Sequence, residues 1–360
     1  MKKYNFSAGP AILADEVKHT LAQMMVNFDN SGLSIAEISH RSKEFETFLQ
    51  ATTQKFKKLC HIGDEFEILY LQGGASLQFH TIPMNFLTHH KKAVLINTGV
   101  WSQKALEGLN YFGTADVIDN AGDFTRLPDL SHLETFEHAD YGYFTDNNTI
   151  YGTEYHFVPQ FHKNLPVICD MSSSILSKKL DYSKFDLIFA GAQKNLGIAG
   201  VTVVIIKKSL LDKCDKSVPA IVNFATMAKN SSLYNTPPVF AIASVSATLD
   251  WIEAQGGVES LELMNIKKSD LLYDYIDNSK LYYNDNEKSF RSRMNVVFKL
   301  KDESLTKKLI EFAESSGMIG IAGHRNVGGL RASIYNMMPL AGVQALIEVL
   351  KTFEKENFGG

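Results

Sequence analysis

The stretch 166-PVICD-170, with 187-LIFAGAQKN-195 and 200-GVTVVII-206 after it, decides the fold. Each run is apolar and rich in Val, Ile, Leu or Phe, without the alternation of a half-exposed strand, so each reads as a strand covered on both faces. Upstream, 67-EILYLQ-72, 93-AVLINTG-99 and 141-YGYFTDN-147 repeat the pattern, separated by longer amphipathic segments. Short apolar strands alternating with helical segments predict an α/β domain built on a mostly parallel sheet. Near the start, Val17, Leu21, Met24 and Phe28 recur at helical spacing behind Asp15 and Glu16, which suit a helix N-terminus.

Towards the end the rhythm changes. A long helical stretch from about 238 to 280 leads into a strand at 295–300, a helix at 303–316, a strand at 330–336 and a helix after Pro339. That last helix places Leu340, Val343, Leu346, Leu350 and Phe353 on one face, with proline near its start. The reading is a large domain over 16–260 and a smaller α+β domain made of 1–15 and 261–360.

Composition bounds what such a chain does. Its 360 residues are 45% hydrophobic and 21% charged, which excludes disorder and allows two domains. Lys and Arg total 36 against 40 Asp and Glu, a net charge of −4, so there is no positive field to attract nucleic acid. No apolar run approaches the roughly 20 residues that span a bilayer, and the first ten residues lack a signal-peptide core, so a soluble, unexported, cytoplasmic protein is expected. The three cysteines, Cys60, Cys169 and Cys214, show no CxxC spacing, which argues against a disulfide framework or a thiolate zinc site. No metal is called for.

Ligands of α/β sheets gather at the carboxyl ends of the strands, so the residues standing there matter most. After EILYLQ comes Gly73-Gly74-Ala75-Ser76, a glycine turn that exposes backbone N–H groups at a helix N-terminus and suits a phosphate. It is neither GxGxxG nor GxxxxGK[ST], and an ordinary strand–helix turn explains it equally. Trp101 follows AVLINTG and either stacks on a planar ligand or packs in the core. Thr149 follows YGYFTDNN and either binds a ligand oxygen or satisfies its turn. Asp170 directly follows apolar strand residues, where an unpaired carboxylate is expensive. Lys194, flanked by Gln193 and Asn195, ends the next strand; a desolvated amine there is pushed towards nucleophilic range, whereas most lysines are solvated surface charges.

One cofactor explains these parts together. Pyridoxal 5′-phosphate has an aldehyde for a lysine, a ring nitrogen for an aspartate, a planar ring for an aromatic and a phosphate for a glycine turn. The cationic pairs His40-Arg41 and His324-Arg325, with Arg331, suit a substrate carrying more than one anionic group.

At this point the sequence resembles the class V aminotransferases, fold-type I pyridoxal-phosphate enzymes, in their phosphoserine-forming branch. The likeness runs nearly end to end through NFSAGPA (5–11), SHRS (39–42), QGGAS with QF and PMNF (72–86), TGVWS (98–102), AGAQKN (190–195), YNTPP (234–238) and GHRNVGGLRASIYN (323–336). It implies a seven-stranded-type sheet in the large domain. It implies that Lys194 forms the Schiff base, Asp170 contacts the pyridine nitrogen, Trp101 stacks on the ring and Thr149 supports it. Ala75, Ser76 and Gln193 look like phosphate ligands. Asn235 and Thr236 match residues that reach the cofactor phosphate from the other subunit, which implies a homodimer with shared active sites. His40, Arg41, His324, Arg325 and Arg331 resemble the binders of substrate phosphate and carboxylate, with Arg331 matched to the α-carboxylate. Some members carry an arginine where this chain has Ser76, so that cationic contact is missing here.

The implied reaction is transamination between L-glutamate and 3-phosphooxypyruvate, giving O-phospho-L-serine and 2-oxoglutarate for serine biosynthesis, with a side role in vitamin B6 biosynthesis left open. Three rivals are weighed against it. Another class V aminotransferase would take a non-phosphorylated 2-oxo acid. A cysteine desulfurase would need a reactive cysteine on a mobile loop, and none of the three cysteines reads that way. A catalytically silent scaffold on the same fold would purify without yellow colour.

Overall fold

The architecture is that of a computed structural model, which describes residues 2–325 and 327–358. Seven strands form the central sheet: β1 (Phe66–Leu71), β2 (Lys92–Ile96), β3 (Thr114–Ile118), β4 (Tyr141–Thr145), β5 (Val167–Asp170), β6 (Leu187–Gly191) and β7 (Thr202–Lys207). Their spatial order is β1-β7-β6-β5-β4-β2-β3. All neighbours are parallel except β7, which runs antiparallel to both β1 and β6. The mostly parallel sheet expected from the apolar runs is therefore present.

Alternate side chains divide cleanly between two apolar layers, as a period of two requires. Phe144, Cys169, Ile188, Val203 and Ile205 face the layer that takes in helices α1 (Asp15–Val26), α2 (Lys43–Cys60) and α5 (Val239–Ala254). Tyr143, Ile168, Leu187, Phe189 and Val204 face the opposite layer, under α3 (Gly74–Phe86) and α4 (Val100–Leu109). Burial on both faces is why these strands carry no polar alternation. β3 is different: it lies at the sheet edge, is only partly buried and leaves Val117 38% exposed. Its mixed sequence, TADVI, gives no apolar run to mark it as a strand.

The helical stretch expected from about 238 to 280 is two helices. Gly256 adopts φ 91°, a left-handed conformation that glycine tolerates, and separates α5 from α6 (Gly257–Asn278). A boundary near 260 falls inside α6, which is continuous there. Val258 and Leu261 of α6 belong to the first core, whereas Leu272, Tyr273 and Ile276 belong to another cluster shared with Tyr4 and Phe6. We propose that the large and small domains meet within this helix.

Around that second cluster lie β8 (Tyr282–Tyr283), β9 (Asn295–Leu300) and β10 (Leu330–Ser333), an antiparallel sheet ordered β10-β9-β8. Helices α7 (Thr306–Ser315) and α8 (Leu340–Phe358) cover it, with Val343, Leu346, Leu350 and Phe353 of α8 buried. The two-residue strand Tyr4–Asn5 pairs in parallel with Met318–Ile319. Among the described residues, no helix is long and apolar enough to cross a membrane.

Candidate functional site

Asp170 is the last residue of β5, and Lys194 stands three residues beyond β6. Because β5 and β6 are parallel neighbours, both side chains issue from the same carboxyl edge of the sheet. Asp170 is 5% exposed, and its Oδ1 accepts a hydrogen bond from the Ser172 N–H at 2.8 Å. Burial raises its carboxyl above the usual range, against the pull of the Lys194 ammonium and the Ser172 bonds. Ser172 Oγ also accepts from the Gly191 N–H at 3.2 Å, which ties the two strand ends together.

Burial lowers the Lys194 amine to about 8; Asp170 opposes this and Arg331 adds to it. Its Nζ lies 5.4 Å from the centre of the Trp101 ring. That ring is held in place, because Trp101 Nε1 donates to Thr149 Oγ1 at 2.8 Å. The turn that presents Trp101 depends on Gly99, with φ 145°, where a Cβ would run into Asn148 and Tyr151. Arg331, on β10 of the three-stranded sheet, donates from Nη1 to the Thr149 carbonyl at 2.9 Å. Its Nε is buried without a hydrogen-bond partner, and burial lowers its pKa.

The Gly73–Ser76 turn sits where the sequence placed it, at the start of α3. Gly73 and Gly74 take φ of 85° and 68°, and no side chain caps the helix. The first N–H groups of α3 are thus free to receive an anion. Asn235 and Thr236 lie beside this turn: Asn235 Nδ2 donates to Gln72 Oε1 at 3.3 Å, and Gln72 Nε2 donates to the Thr236 carbonyl at 2.5 Å. Gln193 adjoins Lys194, and its carbonyl accepts from the Ala11 N–H at 2.9 Å.

The cationic residues fall into two groups. His324 lies within the field of Arg325 and Arg331, and burial with these neighbours lowers its pKa. His40 and Arg41 line a different cavity of about 510 Å³, walled by α2, β1 and residues 228–233. His40 Nε2 is buried there without a partner. One protomer therefore gathers Lys194, Asp170, Trp101, Thr149 and Arg331, with His324 in the field of Arg331, whereas His40 and Arg41 line the cavity between α2 and β1.

Two contributors have no chemical signal in the sequence. The segment Ala8–Ala11 lies against Lys194: a Cβ on Gly9 would sit 3.7 Å from both Gln193 Cγ and Lys194 Cγ. Asn195 Oδ1 accepts from the Asn336 N–H at 3.0 Å, which joins the lysine loop to the segment after β10.

These residues fit pyridoxal phosphate: a lowered amine, a buried carboxylate, a fixed aromatic face and an uncapped helix start meet at one sheet edge. Comparison with known proteins agrees. The profile of the class-V aminotransferases matches residues 3–346. A phosphoserine aminotransferase of Bacillus cereus is 46% identical over 356 residues, covering 98% of this chain and 99% of that protein. The solved phosphoserine aminotransferase of Bacillus circulans subsp. alkalophilus superposes with a TM-score of 0.96 at 40% identity, covering 99% of each chain. A PLP-bound phosphoserine aminotransferase from Trichomonas vaginalis gives 0.89 at 36% identity, covering 97% of this chain and 100% of that one. The chain belongs to the class V aminotransferase family.

Proposed function

We propose that this class V aminotransferase moves the amino group of L-glutamate to 3-phosphooxypyruvate, yielding 2-oxoglutarate and O-phospho-L-serine. The observation that carries the reading is the Lys194 amine, lowered to about 8 and set between Asp170, the Trp101 ring and Arg331. The near-full-length likeness to phosphoserine aminotransferases supports the substrate pair.

When bound, pyridoxal phosphate supplies a carbonyl carbon for the amine and a ring that withdraws the electrons of the breaking Cα–H bond. Lys194 would hold the cofactor through its neutral amine and would carry the Cα proton at its Nζ. Asp170 would hold a proton on the ring nitrogen, its charge sustained by the Ser172 N–H. Trp101 would cover the ring, and Ala75, Ser76 and Gln193 would hold the phosphate of their own protomer's cofactor. Arg331 grips the α-carboxylate of both amino acids with its planar fork. His324 and Arg325 take the substrate's second anionic group, and a bound dianion would draw a proton back onto His324. The Ala8–Ala11 segment excludes water from the Lys194 side.

We further propose a cytosolic homodimer with shared sites. His40 and Arg41, which line a cavity whose lining does not include Lys194, would serve the partner's substrate, and Asn235 and Thr236 the partner's cofactor phosphate. Leu77, Ile221 and Tyr234 are 36%, 50% and 44% exposed, an apolar surface suited to cover by a second copy.

The test is the absorption spectrum of the purified protein, before and after L-glutamate and then 3-phosphooxypyruvate. The reading expects a yellow protein that glutamate bleaches and 3-phosphooxypyruvate restores. Equal restoration by plain hydroxypyruvate would transfer it to a non-phosphorylated acceptor, and a colourless protein would remove it.

A further inference from the structure

Lys268, on α6, is fully buried, yet among the described residues no carboxylate is one of its hydrogen-bond partners. Its Nζ donates to the carbonyls of Tyr335 at 2.7 Å, Ile334 at 2.9 Å and Met338 at 3.1 Å, with Asn336 O at 3.5 Å. Burying an uncompensated ammonium is costly, and burial lowers this amine to about 7. In return, one side chain gathers the carbonyls of a segment that has left its sheet and lacks a ladder to satisfy them.

That segment occupies a particular place. It follows β10 directly, and β10 carries Arg331. Within it, the Asn336 N–H donates to Asn195 Oδ1 at 3.0 Å, and Asn336 Nδ2 donates to the Leu176 carbonyl at 2.9 Å. Asn195 adjoins Lys194 and donates from Nδ2 to the Ser173 carbonyl at 3.0 Å, three residues beyond Asp170. One helical turn before Lys268, Asn265 Nδ2 holds Asn336 Oδ1 at 2.8 Å. Tyr335 Oη donates to the Ala8 carbonyl at 2.7 Å, in the segment lying against Lys194.

We propose that Lys268 is a positioning residue for transamination: by gathering the carbonyls of residues 334–338 it fixes the carboxylate-binding Arg331 relative to Lys194 and Asp170. This rests on the transaminase reading of the site. A side chain needed only for stability would change how much protein folds. A positioning residue changes how tightly the folded enzyme holds substrate carboxylates.

The experiment compares Lys268→Met with the parent protein. The expected result is a rise of about tenfold in KM for both L-glutamate and 3-phosphooxypyruvate, with kcat falling less than about threefold. The apoprotein gives a second readout, the pH midpoint at which an amine-specific reagent labels Lys194. The charges acting on that amine are Asp170 and Arg331, so withdrawal of Arg331 raises the midpoint. Parental KM values or a parental midpoint would overturn the proposal. Should Lys268→Met fail to fold, Asn336→Ala cuts the same connection at its far end; the same rise in KM is expected, and parental values overturn it. If the parent protein does not turn over this substrate pair, the functional reading fails, while the apoprotein titration still judges Lys268.

Discussion

Lys178 and Lys194 both follow strands of one sheet and both lose water, yet they end in opposite states. Lys178 meets Asp146 at 3.0 Å and Glu154 at 3.0 Å, and the two carboxylates raise its pKa despite burial. Lys194 has one carboxylate in its field, Asp170, together with the opposing charge of Arg331, and is lowered to about 8. Desolvation alone does not make a nucleophile. The balance of neighbouring charge decides, along with a route for a reactant to reach the amine.

The strongest challenge to this contrast is removal of each amine. Lys194→Ala should lower kcat at least about a thousandfold, since on the proposed roles it deletes both the attacking group and the proton carrier. It should also abolish the absorption band that borohydride removes, while thermal unfolding changes little. Lys178→Met should do the reverse. It strands Asp146 and Glu154 in the core and should cost about 3–5 kcal/mol of stability in denaturant unfolding, with the borohydride-sensitive band retained.

Smaller effects sharpen it. Arg331→Ala should lower kcat/KM by about 10–100-fold for L-glutamate and for O-phospho-L-serine alike, the loss expected from one charge-assisted contact to a shared carboxylate. An effect confined to phosphoserine would contradict the α-carboxylate role. Least in size is the pH dependence of cofactor uptake by the apoprotein. On the proposed role only the neutral Lys194 amine takes up cofactor, so the rate should rise about tenfold per pH unit below about 8 and then level off. Asp170 favours the charged amine, so Asp170→Asn should move that midpoint to lower pH; movement to higher pH would reverse the assigned sign.

The sequence made legible whatever interrupts an apolar pattern. Asp170 and Lys194 stand out because a charge at the end of a buried strand needs a reason, and the continuous runs around them announced a sheet covered on both faces. β3 escaped because an edge strand is not obliged to be apolar. The antiparallel direction of β7 was hidden, since a buried strand reads the same in either sense. His40-Arg41 and His324-Arg325 look alike as dipeptides, and only the fold separates them within a protomer. Lys268 sits in NIKKSD beside the exposed Lys267, and nothing local distinguishes the buried residue from the solvated one.

The order in which the strands come together also bears on how the chain acquires its site. β1 has only β7 as a sheet neighbour, so it waits about 130 residues of synthesis for its partner. Tyr4–Asn5 waits longer still, for Met318–Ile319. Such distant pairings bring a high contact order and slow folding. The Ala8–Ala11 segment against Lys194 follows directly on that late-pairing strand, so the pocket is complete only after residues more than 300 positions further along the chain have been made.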